Sequence, residues 1–204
     1  MGSINMALGG LVLSGGEGRR MGYQNKGLMP LGNNIDLIDP VLRLLREQCQ
    51  YVAISANQDI AVYQQKKLDV WTDVKPWVNC GPLGGVYSSV LQFPPEIDVI
   101  QVVPCDSPFI DQHVIQRLSA QRIQQNHLAV YAATKSQIYP VIFQFKREAM
   151  SHLQHYLQTE LKHSIRKWLA QIHAEAVMFD DDSPFTNIND VTTLQRYSRE
   201  GIYP

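Results

Sequence analysis

The sequence predicts an α/β architecture of three layers, α/β/α, around a mostly parallel, mixed central sheet. Three observations carry that expectation. Short apolar runs alternate with longer stretches of helical periodicity, the pattern of βαβ units. One run, Val99 to Val103, is almost unbroken in its apolar character, the mark of a strand buried on both faces. The chain has 204 residues, 45% hydrophobic and 18% charged. That is enough apolar material for a sizeable core and, at roughly 150 residues per domain, the length of a single one.

Each element follows in order. Leu11-Val12-Leu13 is a buried strand ending at a Gly-rich turn. Ile38, Val41, Leu42 and Leu45 recur at helical spacing, so a helix runs on to Gln48, with Asp39-Pro40 in its first turn where proline is tolerated. Tyr51 to Ser55 reads as the second strand, Gln58 to Lys67 as a helix and Val70 to Thr72 as a short third strand. Gly84 to Gln92 is helical after the Gly81-Pro82 break, and Val99 to Val103 is the central strand. Asp111 to Gln125 has an acidic start and helical periodicity. Leu128 to Ala133 and Ile138 to Phe145 are strands, and the polar Thr134 to Gln137 between them suits an antiparallel hairpin, which makes the sheet mixed. Lys146 to Gln158 and His163 to Ile172 read as helices, Ala174 to Phe179 as a late strand and Val191 to Arg199 as a closing helix. No linker, repeat or low-complexity stretch divides the chain.

Composition excludes several classes of function. Eighteen Lys and Arg against nineteen Asp and Glu leave a formal charge of −1, which argues against a dedicated nucleic-acid-binding domain. Cys49, Cys80 and Cys105 are odd in number and widely spaced, so neither a disulfide framework nor a Cys-x-x-Cys zinc site is available. Free thiols suit a reducing compartment. Met1 to Gly10 has no basic segment followed by an apolar run, and no stretch approaches the roughly 18 apolar residues of a membrane span. The expectation is a soluble cytoplasmic protein with no membrane and no nucleic-acid partner.

In a parallel α/β sheet, ligands bind beyond the carboxyl ends of the strands, near a topological switch point. Chemistry is therefore sought after Leu13, Ile54, Thr72 and Val103. After the first strand comes Ser14-Gly15-Gly16-Glu17-Gly18-Arg19-Arg20-Met21-Gly22, then Lys26. The glycines let backbone N–H groups approach a ligand closely, and Arg19, Arg20 and Lys26 add positive charge. Together these features describe a triphosphate cradle. It is not a dinucleotide fingerprint, because Gly16-x-Gly18 is followed by Met21 where a glycine is required. It is not a P-loop either, because Asn25 precedes and Gly27 follows Lys26.

Asp106 follows the most apolar strand, within Pro104-Cys105-Asp106-Ser107-Pro108. By spacing alone it is either a Mg²⁺ ligand, since that cation takes one or two carboxylates plus substrate phosphates, or a turn former. Asp73 after the third strand reads, by spacing alone, as a turn residue. The run Asp180-Asp181-Asp182 reads as a solvated loop. His152 and His155 share a helix face without a third ligand, so they read as surface residues. Cys105 has no activating base and reads as strand-end packing. Trp71, Trp77 and Trp168 read as core or pocket wall.

The run Leu13 to Gly22 with Lys26-Gly27-Leu28 closely resembles the motif of the molybdenum cofactor guanylyltransferases, members of a larger nucleotidyltransferase family. The resemblance continues in order through Asn57, Asp73, Gly81-Pro82-Leu83-Gly84-Gly85, Cys105-Asp106-Ser107-Pro108-Phe109, Tyr139-Pro140 and Asn187-Ile188-Asn189. Departures from the family's pattern are Asn25 for the usual Asp, Ser55 for the first Asn of an Asn-x-Asn, Tyr139 for the usual His, and Gly32-Asn33-Asn34 for Gly-Lys-Pro.

The resemblance implies a Rossmann-like nucleotidyltransferase fold over residues 1–204. It implies transfer of GMP from GTP to the molybdopterin form of the molybdenum cofactor, with release of pyrophosphate. Lys26, Arg20 and Asp106 are the implied catalytic residues, with Mg²⁺ as cofactor on Asp106. The implied nucleotide contacts are Leu13, Ser14, Gly15, Gly16, Lys26, Ser55, Asn57, Asp73, Gly81 and Asp106, and Gly15-Gly16 favours guanine over cytosine. The pterin side falls to Tyr139, Lys162, Arg166, Asn187 and Asn189. The implied partners are GTP, the molybdopterin cofactor, and a molybdoenzyme or another cofactor-biosynthesis protein. Two alternatives stay open: a related enzyme such as a molybdopterin cytidylyltransferase, and a non-catalytic nucleotide-binding partner of molybdoenzymes.

Overall fold

Along the first strand, β1 (Ala7–Leu13), alternate side chains leave by opposite faces. Leu11 and Leu13 join the core on one side and Val12 joins it on the other. The central strand β6 (Ile97–Pro104) repeats this, with Ile100 and Val102 on the first side and Val103 on the second. Strands apolar on both faces must be covered twice, and the computed structural model, which describes residues 6–15, 25–32, 35–78, 80–188 and 193, has a helical layer on each face. Helices α1 (Asp39–Gln48) and α4 (Gln112–Gln124) cover one face through Leu42, Leu45, Val114 and Leu118. Helices α3 (Pro82–Val90), α5 (Met150–Thr159) and α6 (Ile165–Gln171) cover the other through Val86, Val90, Leu153 and Trp168.

The seven-stranded sheet runs β5 (Asp69–Trp71), β4 (Tyr51–Ser55), β1, β6, β8 (Ile138–Lys146), β7 (Ala129–Thr134), β9 (Glu175–Phe179). Strand β8 pairs antiparallel with both neighbours, and every other pairing is parallel. The expected hairpin therefore exists and makes the sheet mixed. The chain leaves β1 for β4 on one side and later enters β6 on the other. This puts a switch point between the carboxyl ends of β1 and β6.

Several elements differ from expectation, each for a local reason. The helix expected over Gln58 to Lys67 is one short turn-and-a-half, α2 (Ile60–Gln64), bracketed by Asp59 and Lys67 in the left-handed region at φ 52° and 57°. A residue in that conformation cannot continue a right-handed helix. Lys146 belongs to β8 and Arg147–Ala149 to a 3₁₀ turn, so α5 begins at Met150. The Arg147 guanidinium is used elsewhere: it donates to the carbonyls of Val90, Phe93, Pro94 and Ile97 and closes the end of α3. Helix α6 starts after Ser164, whose hydroxyl accepts from the Lys167 amide. A small antiparallel ribbon, β2 (Pro30–Gly32) with β3 (Ile35–Asp36), was not expected. The closing helix expected over 191–199 lies, Thr193 apart, outside the described residues.

The run Asp180 to Asp182 is exposed, as expected of a solvated loop, but Asp182 is not idle. Its carboxylate accepts from Thr134 Oγ1 at 2.5 Å, Ser136 Oγ at 2.8 Å and Tyr139 Oη at 2.5 Å, and so ties the β7–β8 turn to the segment after β9. Among the described residues, no helix is long and apolar enough to cross a membrane.

Candidate active site

The hydrogen-bond ladder of the parallel strands runs one residue past their ends. The Ser14 amide donates to the Ser55 carbonyl at 2.9 Å, the Cys105 amide to the Leu13 carbonyl at 3.0 Å, and the Ala56 amide to the Trp71 carbonyl at 3.0 Å. These bonds align the strand exits, so residues distant in sequence leave the sheet side by side. Asp106 leaves β6 next to the exit of β1. There its Oδ2 forms an ion pair with Lys26 Nζ. Both side chains are largely buried, so water screens the pair less than it would a surface one.

Lys26 opens a 3₁₀ turn, Lys26–Leu28, anchored at both ends. The Leu28 amide donates to the Asn25 carbonyl at 3.0 Å, and the Ile38 amide before α1 donates to the Gly27 carbonyl at 3.1 Å. Gly27 fits because it lacks a side chain: a Cβ there would overlap Ser14 Oγ and Tyr63 Oη. Beneath the turn, the fully buried Tyr63 donates to Asn25 Oδ1 at 2.6 Å and contacts Ser14 Oγ.

The other oxygen of Asp106, Oδ1, is buried and has no hydrogen-bond partner among the described residues. A buried carboxylate oxygen left unpaired is costly, and a hard cation or a donor from a ligand would satisfy it. No group of three or more His, Cys, Asp or Glu that could hold a metal occurs among the described residues, and one carboxylate beside substrate phosphates is a donor set that Mg²⁺ accepts. The donor set fits that cation.

The last described segment of the chain returns to the same place. The Ile188 amide donates to the Asp106 carbonyl at 3.0 Å, and the buried Ser107 donates to Asn187 Oδ1 at 2.7 Å. On the other flank, Asn57 Oδ1 accepts from the Asp73 amide at 2.9 Å. The first turn of α3 packs closely on both strand exits. A Cβ on Gly85 would come within 2.6 Å of Ser55 Oγ and 3.4 Å of Asp73 Oδ1. Gly81, just before that helix, has φ 69°, a conformation glycine adopts without strain, and Pro82 follows at the first helical position.

Of the residues expected at the site, the fold brings Leu13, Ser14, Gly15, Lys26, Ser55, Asn57, Asp73, Gly81, Asp106 and Asn187 to this edge of the sheet. Gly16, Arg20 and Asn189 lie outside the described residues. Tyr139 starts β8 at the same edge, but its ring is buried and stacked on Phe185 with centroids 4.4 Å apart, and its hydroxyl is committed to Asp182. Lys162 and Arg166 are exposed, on the α5–α6 loop and on α6. Burial pushes the Cys105 thiol up to about 11, as befits a packing residue and not a nucleophile. Sequence reasoning did not find Tyr63, Ser107 or Asp182. Their partners lie 43 to 80 residues away or, for Tyr63, 38 and 49, and no local pattern announces those pairings.

Comparison with known proteins gives the family and the fold. Residues 10–177 match the model of the MobA-like NTP transferase domain. The chain is 33% identical to the molybdenum cofactor guanylyltransferase of Cupriavidus metallidurans over 94% of both chains. It is 30% identical to that of Neisseria meningitidis serogroup C, over 91% of this chain and 96% of the relative. Among solved structures, molybdopterin-guanine dinucleotide biosynthesis protein A from Archaeoglobus fulgidus superposes with a TM-score of 0.73 at 18% identity, covering 95% of this chain and 98% of the other. This last likeness speaks for the fold.

Proposed function

This chain belongs to the family of MobA-like NTP transferase domains, and from that premise we propose that it transfers GMP from GTP to the molybdopterin form of the molybdenum cofactor. One observation carries the proposal within the molecule. A lysine and an aspartate meet at the switch point of the sheet, and the aspartate keeps a buried oxygen that has no partner among the described residues.

The reaction joins two anions. A phosphate oxygen of the acceptor attacks the α-phosphorus of GTP, the bond to the bridging oxygen of the β-phosphate breaks, and pyrophosphate leaves with that electron pair. The acceptor phosphate is already nucleophilic, so no activated Ser, Cys or His is needed. Catalysis is then positioning and charge neutralisation. Lys26 offsets charge on the triphosphate and on the departing pyrophosphate, helped by Arg20. Asp106 would hold Mg²⁺, and the ion would supply charge neutralisation and Lewis-acid activation of the phosphates. Leu13, Ser14, Gly15 and Gly16 contact the nucleoside, with Ser55, Asn57, Asp73 and Gly81 on its flank. Gly15-Gly16 favours guanine. Tyr139, Lys162, Arg166, Asn187 and Asn189 make up the pterin side, and Asn187 accepts from Ser107, the residue after Asp106.

In this proposal residues 1–204 act as one domain, in the cytoplasm, and the product passes to a molybdoenzyme or another cofactor-biosynthesis protein. The test is to incubate the protein with molybdopterin cofactor, Mg²⁺ and each of the four ribonucleoside triphosphates, and to measure dinucleotide and pyrophosphate. Guanine dinucleotide with equimolar pyrophosphate is expected. Preferential use of CTP would make it a cytidylyltransferase, and binding of GTP without any turnover would make it a non-catalytic partner.

A further inference from the structure

The environment of Asn25 fixes the direction of every hydrogen bond around it. Its amide nitrogen donates to Asp59 Oδ2 at 3.1 Å, so its carbonyl oxygen must face Tyr63, from which it accepts at 2.6 Å. A phenol has one proton, and Tyr63 spends it on Asn25. The contact between Tyr63 Oη and Ser14 Oγ therefore has Ser14 as the donor. The result is a one-way chain, Ser14 to Tyr63 to Asn25 to Asp59. It starts at the exit of β1 and ends at the left-handed residue before α2, at φ 52°. Gly27 closes over its middle, where any Cβ would collide with Ser14 Oγ and Tyr63 Oη.

We infer that Tyr63 is a positioning residue for Lys26: through this chain it fixes the backbone just before the lysine relative to the end of β1. The inference rests on the role proposed above for Lys26. Nothing in the chain touches the reacting atoms. The effect passes through Asn25, the residue directly before Lys26, and through the packing of Gly27 directly after it. Burial raises the Tyr63 hydroxyl pKa above the usual tyrosine range, which favours the protonated, donating form. The same geometry explains why an asparagine serves at position 25. An aspartate could accept from Tyr63 but could not donate to Asp59, and two carboxylates would face each other.

The experiment removes one oxygen and then asks where its effect travels. Tyr63→Phe keeps the buried ring and deletes the hydroxyl. It should lower kcat/KM for GTP about tenfold, the worth of one ordinary hydrogen bond, with KM for the molybdopterin acceptor unchanged. In a Lys26→Ala background the same substitution should change kcat/KM less than about twofold, because a residue that acts through Lys26 has nothing left to position. An equal loss in both backgrounds, or no loss in either, overturns the inference. The exchange Asn25→Asp with Asp59→Asn reverses donor and acceptor in the last bond. It should restore most of what Asn25→Asp alone loses, and failure of that rescue also counts against the chain. A readout without turnover separates this inference from the proposed function. Amide hydrogen exchange over residues 25–29 should speed up about tenfold in Tyr63→Phe if one hydrogen bond's worth of protection is lost. Unchanged exchange overturns the positioning role. Faster exchange in a protein that shows no GMP transfer would leave the positioning role standing and remove the proposed function instead.

Discussion

Lys26 and Asp106 are 80 residues apart in the chain and meet as an ion pair at the carboxyl edge of the sheet. The meeting follows from topology. Strands β1 and β6 are parallel neighbours with Leu13 opposite Pro104, so whatever follows each strand is delivered to the same spot. The pair also stores opposite charges where a nucleotide and a cation would separate them.

Removing the cation tests the cradle. Lys26→Ala should leave the fold intact and weaken GTP binding and turnover, since a charge-assisted phosphate contact is worth on the order of 1.5–3 kcal/mol. Isothermal titration and steady-state rates measure both effects. Wild-type transfer by the purified variant would show that the loop is not the cradle.

Nucleotide choice is read most simply from thermal shifts. A ligand that binds only the native state raises Tm in proportion to its binding free energy. With Mg²⁺ present, GTP should raise Tm more than CTP, ATP or UTP at equal concentration. Equal shifts from all four would contradict the guanine preference assigned to Gly15-Gly16.

Arg147 is a test of the frame behind the site. Its guanidinium serves four carbonyls at and beyond the end of α3, at 2.6 to 3.1 Å. Arg147→Ala should lower stability by about 2–3 kcal/mol in urea titration, because part-buried carbonyls lose a charged donor. A loss below about 0.5 kcal/mol, typical of an ordinary surface change, would show that water serves them equally well.

The hairpin clamp has a pH signature. Hydrogen bonds from Thr134, Tyr139 and Ser136 hold the Asp182 carboxyl below its usual range. A depressed carboxyl pKa contributes stability that is present above its unfolded value and lost as pH falls through the folded one. Wild type should therefore melt above Asp182→Asn near neutral pH, and the gap should begin to close as pH falls below about 4 and vanish only below the lowered folded value. Parallel Tm curves down to strong acid would contradict the clamp.

Much of the fold was legible because it rests on periodicity. The unbroken run from Val99 to Val103 and the alternation of apolar runs with helical stretches sufficed for the sheet and its layers. What failed did so where tertiary contacts override local pattern. The helix around Tyr63 is half the expected length because Asp59 and Lys67 turn left-handed. Arg147 leaves the expected helix start to serve α3. The ribbon of β2 and β3 is too short to show a period of two. That Lys26 and Asp106 come to one edge of the sheet was legible from glycine spacing, strand ends and family resemblance. The hydroxyl network around Tyr63 was not, because a tyrosine in an apolar stretch reads as core. Tyr139 illustrates the same limit: its position at the edge was legible, but its stacking on Phe185 was not.

The central claim is that Asp106 holds the cation that makes GMP transfer possible, and the most direct measurement is transfer against Mg²⁺ concentration for wild type and Asp106→Asn. The substitution keeps the size of the side chain and removes the charge a hard cation requires. Asp106→Asn should need far more Mg²⁺ and remain slower by orders of magnitude at saturation, since a bound metal supplies several kcal/mol of charge stabilisation. Its Tm without ligand should change little. Superimposable curves for the two proteins would contradict the metal role of Asp106, and with it the mechanism built on the ion pair.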